Sequence, residues 1–409
     1  MITEAAKTLT DSLRLFTPCP PAADRECWEK LPEDLKARLI RNGEAYLHYE
    51  YPALTAVDFM EFTRSGNRSR YQDRLFARRT ALDSLVLAEC AEHRGRFLDD
   101  IINGLYLICE ENAWQLPAHN SYIRDTPQFP LPDVTRPVID LFAAETASVL
   151  AVAEYLLRSE LKEVSPFLSV MIDHELETRI FTPYLSEHFW WMGDGKSHMN
   201  NWTVWCTQNV LLSAFTRPLP KETQTAILTK AAGSIDYFLA EYGEDGCCDE
   251  GAQYYRHAGL CLFGCLEILN GITDHAFAFA WEQEKIRNIA SYILNVHVDT
   301  VYYVNFADCS PVAGRCNARE YLFGKRTGNQ ALMEFAASDY QNSEDPLTLD
   351  EHNLFYRLQT VFSHEEMMQY DRNPVIVHRD LYYESVGLFM ARDSRCLLYT
   401  SPSPRDYAA

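Results

Sequence analysis

The stretch Arg96-Phe-Leu-Asp-Asp-Ile-Ile-Asn-Gly-Leu-Tyr-Leu-Ile-Cys-Glu-Glu-Asn-Ala113 sets the fold class. Phe97, Ile101, Leu105 and Ile108 recur at three- and four-residue steps, while Asp99, Asp100 and Glu110 fall on other faces. That spacing predicts an amphipathic helix. Working outward, helical character continues over 33–47, 80–93, 137–160, 163–180, 201–215, 220–241, 254–270, 276–297, 316–338 and 350–361. In 137–160 the face runs through Ile139, Phe142, Ala143 and Thr146 to Leu150, Ala153 and Tyr155. Helices of this length joined by short loops predict a mainly α chain built as an array of helical hairpins, not a doubly wound sheet. No sequence repeat marks a regular solenoid.

The remaining segments divide the chain. Residues 1–32, with Pro18, Pro20, Pro21 and Pro32, read as an N-terminal arm, and 33–372 as the helical domain. Two irregular stretches interrupt it. Residues 117–137 carry five prolines with His119, Asn120 and Arg124, and 302–315 join strand-like aromatics to a turn. Long loops inside a compact domain often line sites. Near Asn373-Pro374 the pattern turns to β-branched and aromatic residues, Val375–Val377 and Leu381–Arg392, read as paired strands. Two strands make no stable sheet domain alone. The tail from Cys396 to Asp406, within 396–409, resembles translated sequencing-adapter read-through and reads as non-native, so a longer natural protein is expected.

Composition narrows the function classes. Over 409 residues, 47% hydrophobic and 23% charged content fit a soluble globular protein. No apolar run approaches a membrane span, and the N-terminus lacks a secretion signal. The twelve cysteines are scattered, which favours reduced, buried thiols and a cytoplasmic home. A net charge of −21 argues against nucleic acid and anionic membranes as partners. An anionic small substrate would need its own local cations, and Arg124, Arg256, Arg315, Arg319, Lys325 and Arg326 are the candidates, though a solvated surface place is the default for each. Oligomeric state is not legible.

Two polar–aromatic clusters carry the chemistry. One is Asp245-Gly-Cys-Cys-Asp-Glu-Gly-Ala-Gln-Tyr-Tyr-Arg-His257, which leads into an apolar helix; its plain reading is a helix cap with acids in the first turn. The other, Trp190-Trp-Met-Gly-Asp-Gly-Lys-Ser-His-Met-Asn-Asn-Trp-Thr-Val-Trp205, holds four of the seven tryptophans. Aromatic faces stack on sugar rings and amides satisfy hydroxyls or carboxylates, so a carbohydrate cleft is expected. Its plain reading is a capped helix with core tryptophans.

Together these segments resemble the heparinase II/III-like polysaccharide lyases, including the related alginate lyases. The family's Asn-Trp motif reads Asn201-Trp202 here, and its Asp-Gly-x-x-x-Glu-x-x-x-x-Tyr motif reads Asp245-Gly246…Glu250…Tyr255. The resemblance covers roughly 80–392. It implies an incomplete α/α toroid followed by the first strands of a truncated antiparallel β-sandwich. It also implies β-elimination on a polysaccharide or oligosaccharide containing uronic acid. Asn201 would neutralise the uronate carboxylate and Tyr255 would act as base and acid. His119, His198, Asn200, Trp202, Glu250, Tyr254, Arg256 and His257 would bind substrate. Arg256, His257 and the helix start are expected to favour the Tyr255 phenolate, with Tyr254 the rival. Glu250 is expected to orient neighbours or cap the helix. The family's β-domain histidine and metal site have no counterpart, so no cofactor is expected in this chain, and His378 does not match. Half a site, inactive or weakly active, is the expectation.

Two other classes stay open. A glycoside hydrolase needs paired carboxylates, for which Asp194, Asp245, Asp249, Glu250 and Asp308 are available. A non-catalytic glycan-binding fragment is the other. A metal or redox role for Cys247, Cys248, Cys261, Cys265 and His257 ranks below buried core thiols.

Overall fold

The computed structural model describes residues 1–9, 13–370, 380–394 and 397–401. Within them the chain is mainly helical, with strands confined to two small antiparallel sheets. The central packing runs through helices Ser69–Glu92, Leu141–Val164, Asn201–Phe215, Gly259–Ile272, Ala318–Thr327 and Leu354–Gln369. Each packs on the next in chain order, and the last returns to Leu141–Val164. Asn201–Phe215 and Gly259–Ile272 are buried at almost every residue, and the others turn an apolar face inward. Every residue from Ala81 to Ala91 is buried. Flanking helices lie against them: Glu33–Glu44 and Leu98–Cys109 on Ser69–Glu92, Phe167–Leu176 on Leu141–Val164, and Lys221–Glu241 on Asn201–Phe215.

The opening stretch forms helix Leu98–Cys109, with Phe97, Ile101, Leu105 and Ile108 fully buried. Asp100, expected on a polar face, is buried too, because its carboxylate accepts the His48 backbone N–H at 3.0 Å. Other boundaries differ from expectation for clear reasons. The helix expected over 80–93 begins at Ser69, since the run Ser69-Arg-Tyr-Gln-Asp-Arg hides its helical turns behind charge. The helix expected over 316–338 is two, Ala318–Thr327 and Gln330–Gln341. Gly328 separates them with φ +69°, a left-handed cap that glycine takes without a Cβ penalty. Helix Ala56–Ser65 was not foreseen.

The N-terminal arm contains helices Ile2–Lys7 and Arg25–Glu29 and is tied down along its length. Asp236 accepts the Ile2 and Thr3 backbone N–H groups at 2.9 Å, and Phe16 N–H donates to the Phe215 carbonyl at 2.7 Å. Trp28 is fully buried.

Strand His297–Asp299 pairs with Tyr302–Tyr303, as the aromatics of 302–315 suggested. Strands Asp380–Tyr383 and Leu388–Ser394 form the expected hairpin, and Leu397–Ser401, inside the tail read as non-native, adds a third strand. The strand expected at 375–377, the boundary at 373–374 and His378 lie outside the described residues. Among the described residues, no helix is long and apolar enough to cross a membrane.

Candidate functional site

Helix Asn201–Phe215 begins where the sequence places it, and the reason is local. Asn200 is extended (φ −137°, ψ −166°) and its side chain accepts the Trp202 backbone N–H at 3.1 Å. This is N-capping by an Asn oxygen. Asn201 is the first helical residue and is buried. Its own backbone N–H donates to the Glu250 carboxylate at 3.2 Å. The two sequence clusters therefore meet at one helix start.

The loop Glu244–Gly251 reaches that point through two special glycines. Gly246 has φ +77°, and a Cβ there would sit 2.2 Å from the backbone of Asn288. Gly251 has φ +87°, and a Cβ would sit 2.4 Å from the Phe306 carbonyl oxygen. Only glycine satisfies both the handedness and the close approach. Asp245 holds the β-hairpin turn, accepting Ser385 N–H at 2.9 Å and Ser385 Oγ–H at 2.8 Å. The hairpin thus supplies part of the wall of a cleft lined by His198, Asn200, Asn201, Glu241, Asp249 and Glu250, with Ser385 and Val386 opposite.

Within this cleft His198 is exposed and held between two carboxylates, Nδ1 at 2.9 Å from Glu241 and Nε2 at 3.3 Å from Asp249. Glu241 also accepts the Met199 backbone N–H at 2.9 Å. Burial pushes the Glu250 carboxyl up to about 7; Asp249 and Asp308 push the same way, while the Asn201 N–H bond and His198 oppose them. Glu250 is therefore a helix-capping carboxyl that titrates near neutrality. The Asn201 side-chain oxygen is buried without a partner, and its NH2, the donor end of the amide, makes no hydrogen bond among the described residues either, so the amide is open to a ligand.

Asn200 also lines a second, adjoining cleft with His119, Arg124, Trp190 and Trp202. Trp202 packs against His119 at 4.7 Å and against Trp190 at 5.0 Å between ring centroids. The Arg124 guanidinium lies over Trp190 at 4.6 Å. His119 Nδ1 is fixed by Asp140 at 2.7 Å, and Asp140 itself caps helix Leu141–Val164. The tryptophans divide accordingly. Trp190 and Trp202 face this cleft, while Trp191, whose indole donates to the Ile139 carbonyl at 2.9 Å, and Trp205 belong to the core. Asn120 is structural, donating to the Phe129 and Leu131 carbonyls.

Tyr255 departs from expectation. Its side chain is fully buried, and its hydroxyl donates to the Ala290 carbonyl at 3.3 Å. Burial drives its phenol well above the ordinary value, with Glu320 adding to the shift, so the phenolate is disfavoured. The neighbours do not supply the expected positive field. His257 is pushed down to about 3 by burial and then by Arg319 and Arg256, so it is neutral near pH 7. It stacks on Trp205 at 4.0 Å with Nδ1 sealed and unpartnered. Arg256 turns away, donating to the Arg315 carbonyl at 2.6 Å. Tyr255 is thus held in the core, and neither Arg256 nor His257 gives it the positive field expected. Tyr254, one residue earlier, is half-buried and makes no hydrogen bond through its hydroxyl among the described residues.

Of the hydrolase candidates, Asp194 is spent on the backbone of Lys196 and Ser197, and Asp245 on Ser385. Asp249 and Glu250 share the cleft. Lys325 and Arg326 sit on the surface in ion pairs with Glu366 and Glu267. The described cysteines are unpaired, and Cys261 and Cys265 are buried. Among the described residues, no group of His, Cys, Asp and Glu is placed to hold a metal ion. Glu241 and Ser385 were missed because each reaches the cleft from a distant segment, and no local motif marks either. Compared with known proteins, the chain matches no protein-family model and no curated protein.

Proposed function

We propose that the chain is a lyase that cleaves uronate-containing oligo- or polysaccharides by β-elimination on an α/α toroid. The observation that carries this reading is the meeting of Asn201 with Glu250 in one cleft, beside the Trp190–Trp202 cleft that shares Asn200. The return of helix Leu354–Gln369 onto Leu141–Val164 supports the toroid. The docked hairpin supports a β-domain that closes over the cleft.

In the reaction a base takes the C5 proton, the C4–C5 double bond forms, the C4–O4 bond breaks, and the leaving oxygen takes a proton. The Asn201 amide donates to the uronate carboxylate and stabilises the negative charge that develops there. Trp202 and Trp190 hold a sugar ring, His198 and His119 supply hydrogen-bonding ring nitrogens, and Arg124 supplies positive charge. Tyr254 takes the proton-transfer role assigned to Tyr255 by motif register, because its hydroxyl alone of the two is unengaged. The unpaired thiols suit a reducing, cytoplasmic setting.

A second reading rests on Asp249 and Glu250. A carboxyl titrating near 7 beside a second carboxyl suits a general acid in glycoside hydrolysis. Incubation with uronate glycans separates the two: elimination creates a conjugated C4–C5 double bond and new ultraviolet absorbance, whereas hydrolysis yields reducing ends without it. New reducing ends with no absorbance would replace the lyase reading by the hydrolase.

A further inference from the structure

A separate cavity, sharing no lining residue with either cleft, lies where helices Ala318–Thr327 and Leu354–Gln369 begin. Four arginines line it: Arg256, Arg315, Arg319 and Arg357. Two are committed. Arg256 donates to the Arg315 carbonyl and lies 3.5 Å from Glu320, and Arg315 lies 3.2 Å from Asp339.

The other two are not. Arg319 is 8% exposed, its guanidinium flat on the Tyr356 ring at 3.6 Å. Its polar contact is the Cys261 thiol at 3.6 Å, and its Nε has no partner. Arg357 is 6% exposed, and its guanidinium donates to Ser84 Oγ at 3.3 Å. Neither makes an ion pair among the described residues. Glu351 lines the same cavity beyond ion-pairing distance, and its carboxylate accepts the Asn353 backbone N–H at 2.9 Å. Two more acids face Arg357: Asp83, with neither carboxyl oxygen hydrogen-bonded, and Asp345, which pairs with Arg38. Buried guanidinium groups are normally matched by carboxylate or phosphate in a planar, two-pronged contact. Leaving two of them open into one cavity is costly unless something fills it.

We propose that this cavity binds a compact oxyanion, a carboxylate, sulfate or phosphate group of a small ligand, between Arg319 and Arg357. The reading stands independently of the lyase proposal. Free inorganic ions and sugar acids share this chemistry, and titration tells them apart.

The test uses the whole chain, titrated by calorimetry and thermal shift with sodium phosphate, sodium sulfate and sodium glucuronate. Sodium chloride at matched ionic strength is the control. A saturable rise in melting temperature with at least one of the three is expected, since a ligand that binds the folded state stabilises it. Response to phosphate or sulfate alone identifies an inorganic ion, and response to glucuronate a sugar acid. Arg319→Gln and Arg357→Gln are each expected to weaken binding about tenfold or more, as loss of a charged hydrogen-bonding partner does. Asn201→Ala is expected to leave it unchanged. Should the arginine variants fail to fold, Glu351→Gln decides, because removing the local negative charge is expected to tighten binding severalfold. No saturable response beyond chloride, unchanged binding in both folded arginine variants or in Glu351→Gln, or loss of binding in Asn201→Ala would overturn the proposal.

Discussion

The Asn201 cleft and the arginine cavity are both built at helix starts, yet they leave opposite groups free. In the cleft the acids are engaged: Glu250 by the Asn201 N–H, Glu241 by His198 and the Met199 N–H, and Asp249 by His198. The neutral Asn201 amide is left over, its oxygen and its NH2 both without a partner among the described residues. In the cavity two guanidinium groups, touching only a hydroxyl and a thiol, are left over. The difference teaches that the net charge of −21 does not decide where an anion can sit. Carboxylates discharged into backbone N–H groups cost an anionic substrate less than their number suggests. An amide donor then stabilises charge that appears only during reaction, whereas standing cations favour charge already present in the ground state.

The largest expected effect tests the cleft side of that contrast. Asn201→Ala should lower the elimination rate by about a hundred- to a thousandfold, the range for loss of one preorganised donor. The melting temperature should hold, because the helix cap is made by Asn200 and the Glu250 bond by backbone. Steady-state absorbance kinetics beside a melting curve would check this. A variant with full rate would remove the amide from the mechanism.

The adjacent tyrosines sharpen the same boundary between reactive and packed groups. Tyr254→Phe should cost about a hundredfold or more in rate with little change in stability. Tyr255→Phe should retain activity and lose about 1 kcal/mol of stability, from its bond to the Ala290 carbonyl. Denaturant unfolding and kinetics on both variants decide the assignment. The reverse pattern would restore Tyr255 as the base.

Glu250→Gln probes the one cleft acid with a strongly raised carboxyl. Folded Glu250 keeps its proton up to about 7, while the unfolded chain releases it near the ordinary 4.5. Between those values the folded state binds more protons, so stability falls as pH rises through this window. Gln accepts the same N–H without titrating, so part of that fall should vanish in melting temperatures taken at about pH 5 and about pH 8. An identical pH slope in parent and variant would mean that Glu250 ionises with its ordinary carboxyl.

Helix Asn201–Phe215 was legible to the residue because its cap and apolar run are local signals. The joining of Asn201 to Glu250 was legible only through motif order, since nothing in 201–250 states that the two segments touch. What failed was facing. Tyr254 and Tyr255 are neighbours on the single turn Ala252–Tyr255, and sequence register cannot say which of them the core claims. Tyr255 is claimed by Tyr292 and Ala290, residues from a later helix. The cations were misjudged for a related reason. Arg256, Arg319 and Arg357 come from three segments, and their convergence is a tertiary fact, while Lys325 and Arg326 took the surface positions expected by default.

The smallest expected effect separates these buried arginines from an ordinary one. Arg326 makes a two-pronged contact with Glu267 at 2.6 and 2.9 Å, but its side chain is about half exposed. Water screens that pair, so Arg326→Ala should cost under about 1 kcal/mol and less still at high salt. The same salt series applied to Arg357→Gln should behave differently. Arg357 is buried without a carboxylate partner, so its replacement should hold or raise stability in chloride and lower it only relative to parent with a bound oxyanion. Melting curves of both variants in sodium chloride and in sodium phosphate place the two arginines on one scale. If Arg357→Gln were the more destabilised in chloride alone, the cavity's cations would be balanced internally by Glu351 and Asp83, and the contrast with the cleft would collapse.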